Sequence, residues 1–346
     1  MSTSTENQSR LSINESSLHP IEGAVLSQWK IAPGDIFLKT HSGKTLRLKR
    51  AGDVLEENWK KKFGTSANLL WKPLINLAAV ENLKELFTQW DLAQDPSEIE
   101  HKREQFISSL RLGLRPDGGL CMLDWAYACY SLFPVQQNII EEFQAGHVVL
   151  YRRGLMVSSL AVLVSIAAGY EDTQFLKDIY LTGWLLDIGL LSEHFSYWVA
   201  LACQAEKFSP GAGDLLLKEK NAGKKEVELF LEHPRIGYDR VREQFEAQYD
   251  FPELITSILH HHEKADGTGF PEGMTFSVLS DWQTLMMLAD NMVDYQEEVL
   301  EKDLSQSFGH LWARYQAKPV ENLPVKGILA KIKLWFRIPK AVEVAA

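Results

Sequence analysis

The run from Gly154 to Tyr170, GLMVSSLAVLVSIAAGY, constrains the fold of this chain more than any other stretch. Arg152 and Arg153 precede it, Glu171 and Asp172 follow it, and no charge lies between them. A helix that is apolar on every side has to be enclosed, either by lipid or by other helices. Its length stands at the lower limit for a membrane span, and its three serines and closing glycine favour the second solution, a buried core helix. The surrounding sequence agrees. From about residue 135 to residue 303 apolar residues recur at three- and four-residue steps, punctuated by Gly, Pro and Ser, with few alternating β-branched runs.

The rest of the chain divides by pattern. Residues 1–20 are rich in Ser, Thr and Asn without apolar periodicity and read as a disordered tail. Asp35–Thr40 and Thr45–Arg50 alternate as short strands around the turn His41–Lys44, a β-hairpin. Ala51-Gly-Asp53 is expected to open a short charged helix through Lys62, and Asn68–Trp71 to form a third strand before Pro73. Residues 21–75 are thus a small α+β N-terminal module. Helical patterns over Leu74–Leu92 and Ser97–Leu112, then an apolar helix ending near Pro134, make 76–145 a helical linker region. An all-α domain covers 146–320. In the C-terminal tail, 321–346, apolar and basic residues alternate from Lys326 through Phe336 as in an amphipathic helix lying on the domain or on a partner. The fold class is mainly α.

Composition narrows the function. The 346 residues are 45% hydrophobic and 24% charged, ordinary for a folded protein, and the net charge of −10 opposes nucleic acid and anionic lipid. Any anionic ligand therefore needs a local basic pocket. Cys121, Cys129 and Cys203 form no CxxC pair and are odd in number, which argues for a reducing, cytoplasmic compartment. The N-terminus has no basic segment followed by an apolar one, so export is not expected.

Four of the ten histidines fall between 233 and 262, and three are consecutive, His260, His261 and His262. They run into Glu263-Lys-Ala-Asp-Gly-Thr-Gly-Phe-Pro271, whose glycines at 267 and 269 permit a tight turn. Adjacent residues on a helix diverge by about 100°, so neighbouring imidazoles share an ion only where the helix ends, and Asp266-Gly267 is expected to end it. The pattern suggests a metal site.

These residues resemble the HHE, DG and GYP elements of the HD-GYP phosphohydrolases, which cleave cyclic di-GMP. Asp187-Ile-Gly189 looks like the end of that family's LLHDIGK, His233-Pro234 with Gly237 like its HP-x-x-G, and Ala289-Asp290 with Asp294 like its AD-x-x-D. The resemblance covers about residues 146 to 300 and implies a bacterial signalling protein with an HD-type helical domain. It assigns Asp187, His233, His261, His262 and Asp290 as metal ligands, with Asp187 catalytic if the protein is active. Lys264, Asp266, Gly267, Gly269, Phe270 and Pro271 would form a ligand or partner loop, in which Phe270 replaces the family's tyrosine.

Several family positions are changed. Arg153 stands where the first site's leading histidine belongs, with His147 six residues out of register. Leu186 replaces the His of the HD pair, Leu190 the lysine that follows, and Gln283 an arginine. The four ligands of one site survive, suited to one divalent transition metal, Fe, Mn or Zn, or else retained as polar core residues without an ion. Arg153 is expected to fill the other site by pairing with Asp290 or Asp187. His260 reads as a surface or capping residue and His194 as a loop residue. Two-metal hydrolysis needs both ions. The resemblance thus implies a degenerate member, weak or inactive in catalysis, binding a cyclic dinucleotide with help from Lys264, Arg235 and Arg240, a protein partner such as a GGDEF-type domain, or both. The alternative is an active cyclic di-GMP phosphodiesterase with a reduced metal site.

Overall fold

The computed structural model describes residues 17–114, 119–146, 148–191, 224–245, 252–263, 267–275, 279–293 and 326–336. The chain divides into two units, Met1–Leu74 and Ile75–Ala346. In the first, β1 (His19–Pro20), β2 (Gly34–Lys39), β3 (Thr45–Lys49) and β4 (Leu69–Pro73) form an antiparallel sheet in the order β1-β4-β2-β3. Thr40 closes the β2–β3 hairpin: its hydroxyl accepts the Lys44 N–H at 3.1 Å, and Gly43 takes the positive φ the turn requires. Ile36 lies opposite Trp71 and Leu38 opposite Leu69, placing their side chains on one face. With Leu26 of α1 (Gly23–Gln28), Trp29, Ala32 and Leu55, Ile36 and Leu69 form the core of this unit.

The charged helix of this unit, α2, spans Glu57–Phe63 and not residues from 51 onward. The Asp53 carboxylate is already engaged by the Arg50 N–H at 2.8 Å, Gly52 adopts φ 86°, and Val54 bridges Ile31. Those residues are committed to a turn and a bridge. His19 and Pro20, within the segment expected to be a tail, pair with Trp71 and Leu70.

The second unit is helical: α3 (Leu77–Leu92), α4 (Pro96–Gly113), α5 (Met122–Leu132), α6 (Gln137–Gly146), α7 (Val148–Ala168), α8 (Thr173–Leu185), a 3-10 turn (Ile188–Leu191), α9 (Lys224–Phe245), α10 (Pro252–His260), α11 (Asp281–Met292) and α12 (Lys326–Phe336). Asp95 caps α4 by accepting from the Ser97 and Glu98 N–H groups, with Pro96 at its first turn. Phe87, Trp90, Phe106 and Phe133 pack edge to face or tilted between α3, α4 and the end of α5.

The apolar run is α7, and α5, α6, α8, α11 and α12 pack on it. Among the described residues it is the one helix long and apolar enough to cross a membrane, and Leu150–Ala168 is wholly buried. Its three serines are accommodated because each hydroxyl donates back one turn, Ser158 to Gly154, Ser159 to Leu155 and Ser165 to Ala161, at 2.6–2.7 Å. Glycine sets the approach of α8: a Cβ on Gly183 would lie 2.5 Å from the Ser158 Cα, and one on Gly154 would lie 2.9 Å from the Trp184 ring. α12 lies on the domain. Ile332 is buried, and Lys331 donates to the Ala168 carbonyl at the C-terminus of α7.

Candidate metal centre

The close approach of α7 and α8 delivers Asp187, two residues beyond α8, to the side of Arg153 on α7. A second pair of glycines brings in α9. A Cβ on Gly189 would meet the His233 carbonyl at 2.1 Å, and one on Gly237 would stand 3.2 Å from the Gly189 nitrogen. The spacings Asp-x-Gly and His-Pro-x-x-Gly thus have a mechanical basis, since only glycines let the 3-10 turn press onto α9 and seat Asp187 beside His233.

Pro234 lies inside α9, where its missing N–H leaves the Phe230 carbonyl without its helical donor. His233 supplies one: its Nδ1 lies 2.6 Å from that carbonyl. His261 repeats the device at the end of α10, with Nδ1 2.7 Å from the Ile258 carbonyl, one of the acceptors a helix terminus leaves over. A carbonyl can only accept, so both rings carry hydrogen on Nδ1 and turn Nε2 inward. The two Nε2 atoms stand 3.2 Å apart, and the Asp187 Oδ1 lies 3.6 Å from one and 3.7 Å from the other. His262 completes a group whose four ligand atoms all lie within 4.8 Å of one another. α10 ends at His260, six residues before Asp266, so His261 and His262 sit in the turn that follows, their ring centroids 4.1 Å apart.

Burial pushes His233 below its ordinary pKa, and burial together with His261 and His233 holds His262 well below. Both are neutral at neutral pH. The Nε2 atoms of His233 and His261 face each other across 3.2 Å with the Asp187 Oδ1 beside both, so a cation placed among them would meet three donors. The donor set of three imidazoles and one carboxylate therefore fits a divalent transition metal.

Arg153 occupies the other flank. It is 2% exposed, its Nη1 donates to the Asp187 Oδ2 at 2.8 Å, and its Nη2 donates to the Asp290 Oδ1. The guanidinium thus bridges α7, the turn after α8, and α11. Burial raises the Asp187 carboxyl, but the Arg153 charge, with His233 and His261, outweighs this and holds it well below the usual range. Burial lifts Asp290 above its ordinary value; Arg153 opposes the rise and Asp187 adds to it. Asp290, grouped with the ligands in the sequence, lies outside the four-residue cluster and against the arginine. Leu186, next to Asp187 in the chain, and Leu190, whose N–H donates to the Asp187 carbonyl at 2.9 Å, are buried with no polar side-chain atom to offer.

The loop after the histidines is tied to them. The Phe270 ring stacks on His262 at 4.6 Å, and its N–H donates to the His262 carbonyl. Glu263, the glutamate of the HHE element, has a carboxylate that accepts the N–H groups of Glu272, Gly273 and Met274 at 2.7–3.1 Å. Gly267 takes φ 76° beside Gly273, Gly269 is buried, and Pro271 follows Phe270 through a cis peptide. His260 is buried, not superficial: the Gln283 amide lies 2.8 Å from its Nδ1, and Glu272 lies 3.4 Å from its Nε2. Arg235 and Arg240 are matched by Glu272 and Glu142. Lys264 and Asp266, with His147, His194 and Asp294, lie outside the described residues.

No protein-family model matches this chain, and no curated protein matches it. Among solved structures it is similar to Bd1817, a HDG"Y"P protein from Bdellovibrio bacteriovorus, at 17% identity and a TM-score of 0.39, over 92% of this chain and 99% of that one.

Proposed function

We propose that this chain is an HD-GYP-like signalling protein in which an arginine has taken the place of one metal ion, leaving a single-metal centre and no phosphodiesterase activity. The observation that carries the reading is the buried Arg153 guanidinium shared by Asp187 and Asp290. In the family this sequence resembles, those two carboxylates hold the first metal; here one fixed cation is shared between them. Asp187, His233, His261 and His262 would hold one divalent ion, which supplies Lewis acidity when bound. Phosphodiester hydrolysis through two metals requires a second Lewis acid on the phosphate oxygens. Arg153 cannot substitute, because its two terminal nitrogens already serve carboxylates and it is closed off from solvent.

The chain then works by binding. Of the two ligands the sequence resemblance implies, a protein partner such as a GGDEF-type domain is favoured over cyclic di-GMP. Arg235 and Arg240, two of the three cations a dinucleotide would call on, are each matched by a glutamate. The test is hydrolysis of cyclic di-GMP by protein loaded in turn with Fe, Mn and Zn. No turnover above buffer is expected, with about one metal per chain by elemental analysis and none in His262→Ala. Turnover that disappears in Asp187→Asn would overturn the proposal.

A further inference from the structure

The division of labour within the Asp187 carboxylate says what kind of metal centre this is. Its Oδ2 is held at 2.8 Å by Arg153, and its Oδ1 faces the Nε2 atoms of His233 and His261. The residue is 6% exposed, so neither oxygen exchanges readily with water. A carboxylate pinned in this way offers one oxygen to a metal and cannot chelate with two. Adding the three imidazoles gives four donor atoms among the described residues. Asp290, the other carboxylate within reach of the arginine, is withheld by it.

The separations point the same way. A tetrahedral ion with bonds of about 2.0–2.1 Å places its donors about 3.3–3.4 Å apart. An octahedral ion with bonds near 2.1 Å places neighbouring donors about 3.0 Å apart. The three edges among Asp187 Oδ1 and the Nε2 atoms of His233 and His261, 3.2, 3.6 and 3.7 Å, lie nearer the first value than the second, and those to His262 stay within 4.8 Å. Leu186 and Leu190 are buried beside Asp187 and bring no further ligand.

We infer that the centre is a closed, four-coordinate zinc site with a structural role, in which Arg153 holds Asp187 to a single ligand oxygen. This rests on the proposed single-metal reading and goes beyond it by assigning geometry, metal and role. Bound zinc would fix His262, and through the ring stacked on it Phe270, so that the loop 267–275 is held in place by the ion.

The test uses the full chain, freed of metal by chelation and titrated with zinc, iron(II), manganese(II) and cobalt(II). Zinc is expected to bind at least about 100-fold more tightly than manganese, and X-ray absorption of the zinc form should give four N/O neighbours near 2.0 Å. The cobalt form should show the intense visible bands of a tetrahedral ion, and Arg153→Gln, which frees Oδ2, should weaken them. Proteolysis between residues 267 and 275 should slow on zinc binding. Should the variant not fold, the wild-type absorption data decide alone. Five or six neighbours, or a preference for iron or manganese, overturns the zinc inference and leaves the single-metal reading standing. Binding of no metal at all overturns both.

Discussion

Replacing Arg153 by methionine keeps most of the side-chain volume and removes the charge. Asp187 and Asp290 are 6% and 3% exposed, so water cannot take over from the guanidinium. Removing one partner of a buried ion pair costs about 3–5 kcal/mol. The variant can limit this by protonating a carboxylate: from an unfolded value of about 3.9, that costs about 4 kcal/mol at pH 7 and about 1.5 kcal/mol at pH 5. The deficit relative to wild type should therefore be about 3–5 kcal/mol at pH 7 and shrink by more than half at pH 5. At roughly 2–4 °C per kcal/mol, the melting temperature at pH 7 should fall by about 6–20 °C. Thermal and urea unfolding followed by circular dichroism, with a chelator present to silence the histidine centre, measures both quantities. A deficit below about 1 kcal/mol at pH 7, or one independent of pH, would refute the claim that the guanidinium stabilises the two buried carboxylates it pairs with.

The chelated wild-type protein should lose stability on acidification. His233 and His262 have lowered values, so their contribution is full above the unfolded value of about 6.5 and is lost as pH falls towards the folded value, at most about 1.4 kcal/mol per histidine between pH 7.5 and 5.5. Urea titrations at the two pH values test this, and an unchanged midpoint contradicts it. Gly183→Ala would drive a methyl group into the Ser158 backbone and should cost about 1–3 kcal/mol, visible as a lower melting temperature. Pro234→Ala returns a donor to the Phe230 carbonyl in competition with His233 Nδ1, so metal affinity should fall about tenfold in a chelator competition while stability holds or rises. Unchanged affinity would mean that the proline does not orient the ring.

Features written locally were legible in the sequence. The apolar run from Gly154 became a buried helix because its polar exceptions, three serines, bond within their own turn. The hairpin around Gly43 followed from alternation and a turn residue. Asp187, His233, His261 and His262 could be grouped before the structure because the resemblance supplied a register that spacing alone does not. What escaped depended on distant partners. Arg235 and Arg240 read as available cations, yet Glu272 lies 37 residues and Glu142 98 residues away in sequence. His260 read as superficial because its partners, Gln283 and Glu272, belong to another helix and to a loop. Glu263 carried no assigned role, because its three acceptor contacts depend on how the chain turns back at 272–274. The helix expected at Asp53 was displaced because a good capping residue is also a good turn residue, and the strand pairing of this unit needed the turn.

An ion held by protein ligands obeys mass action: it leaves when supply falls or when a chelator competes. A guanidinium carried on α7 is joined to its carboxylates by the backbone, and its effective concentration is the same in every cell and every buffer. The three segments it gathers stay assembled whether or not a metal is present. An ion in the centre proposed on the histidine flank would come and go with supply, so one half of this pocket would be indifferent to metal while the other half followed it. Starving cells of metal should therefore leave the protein folded and change only what the loop at 267–275 presents.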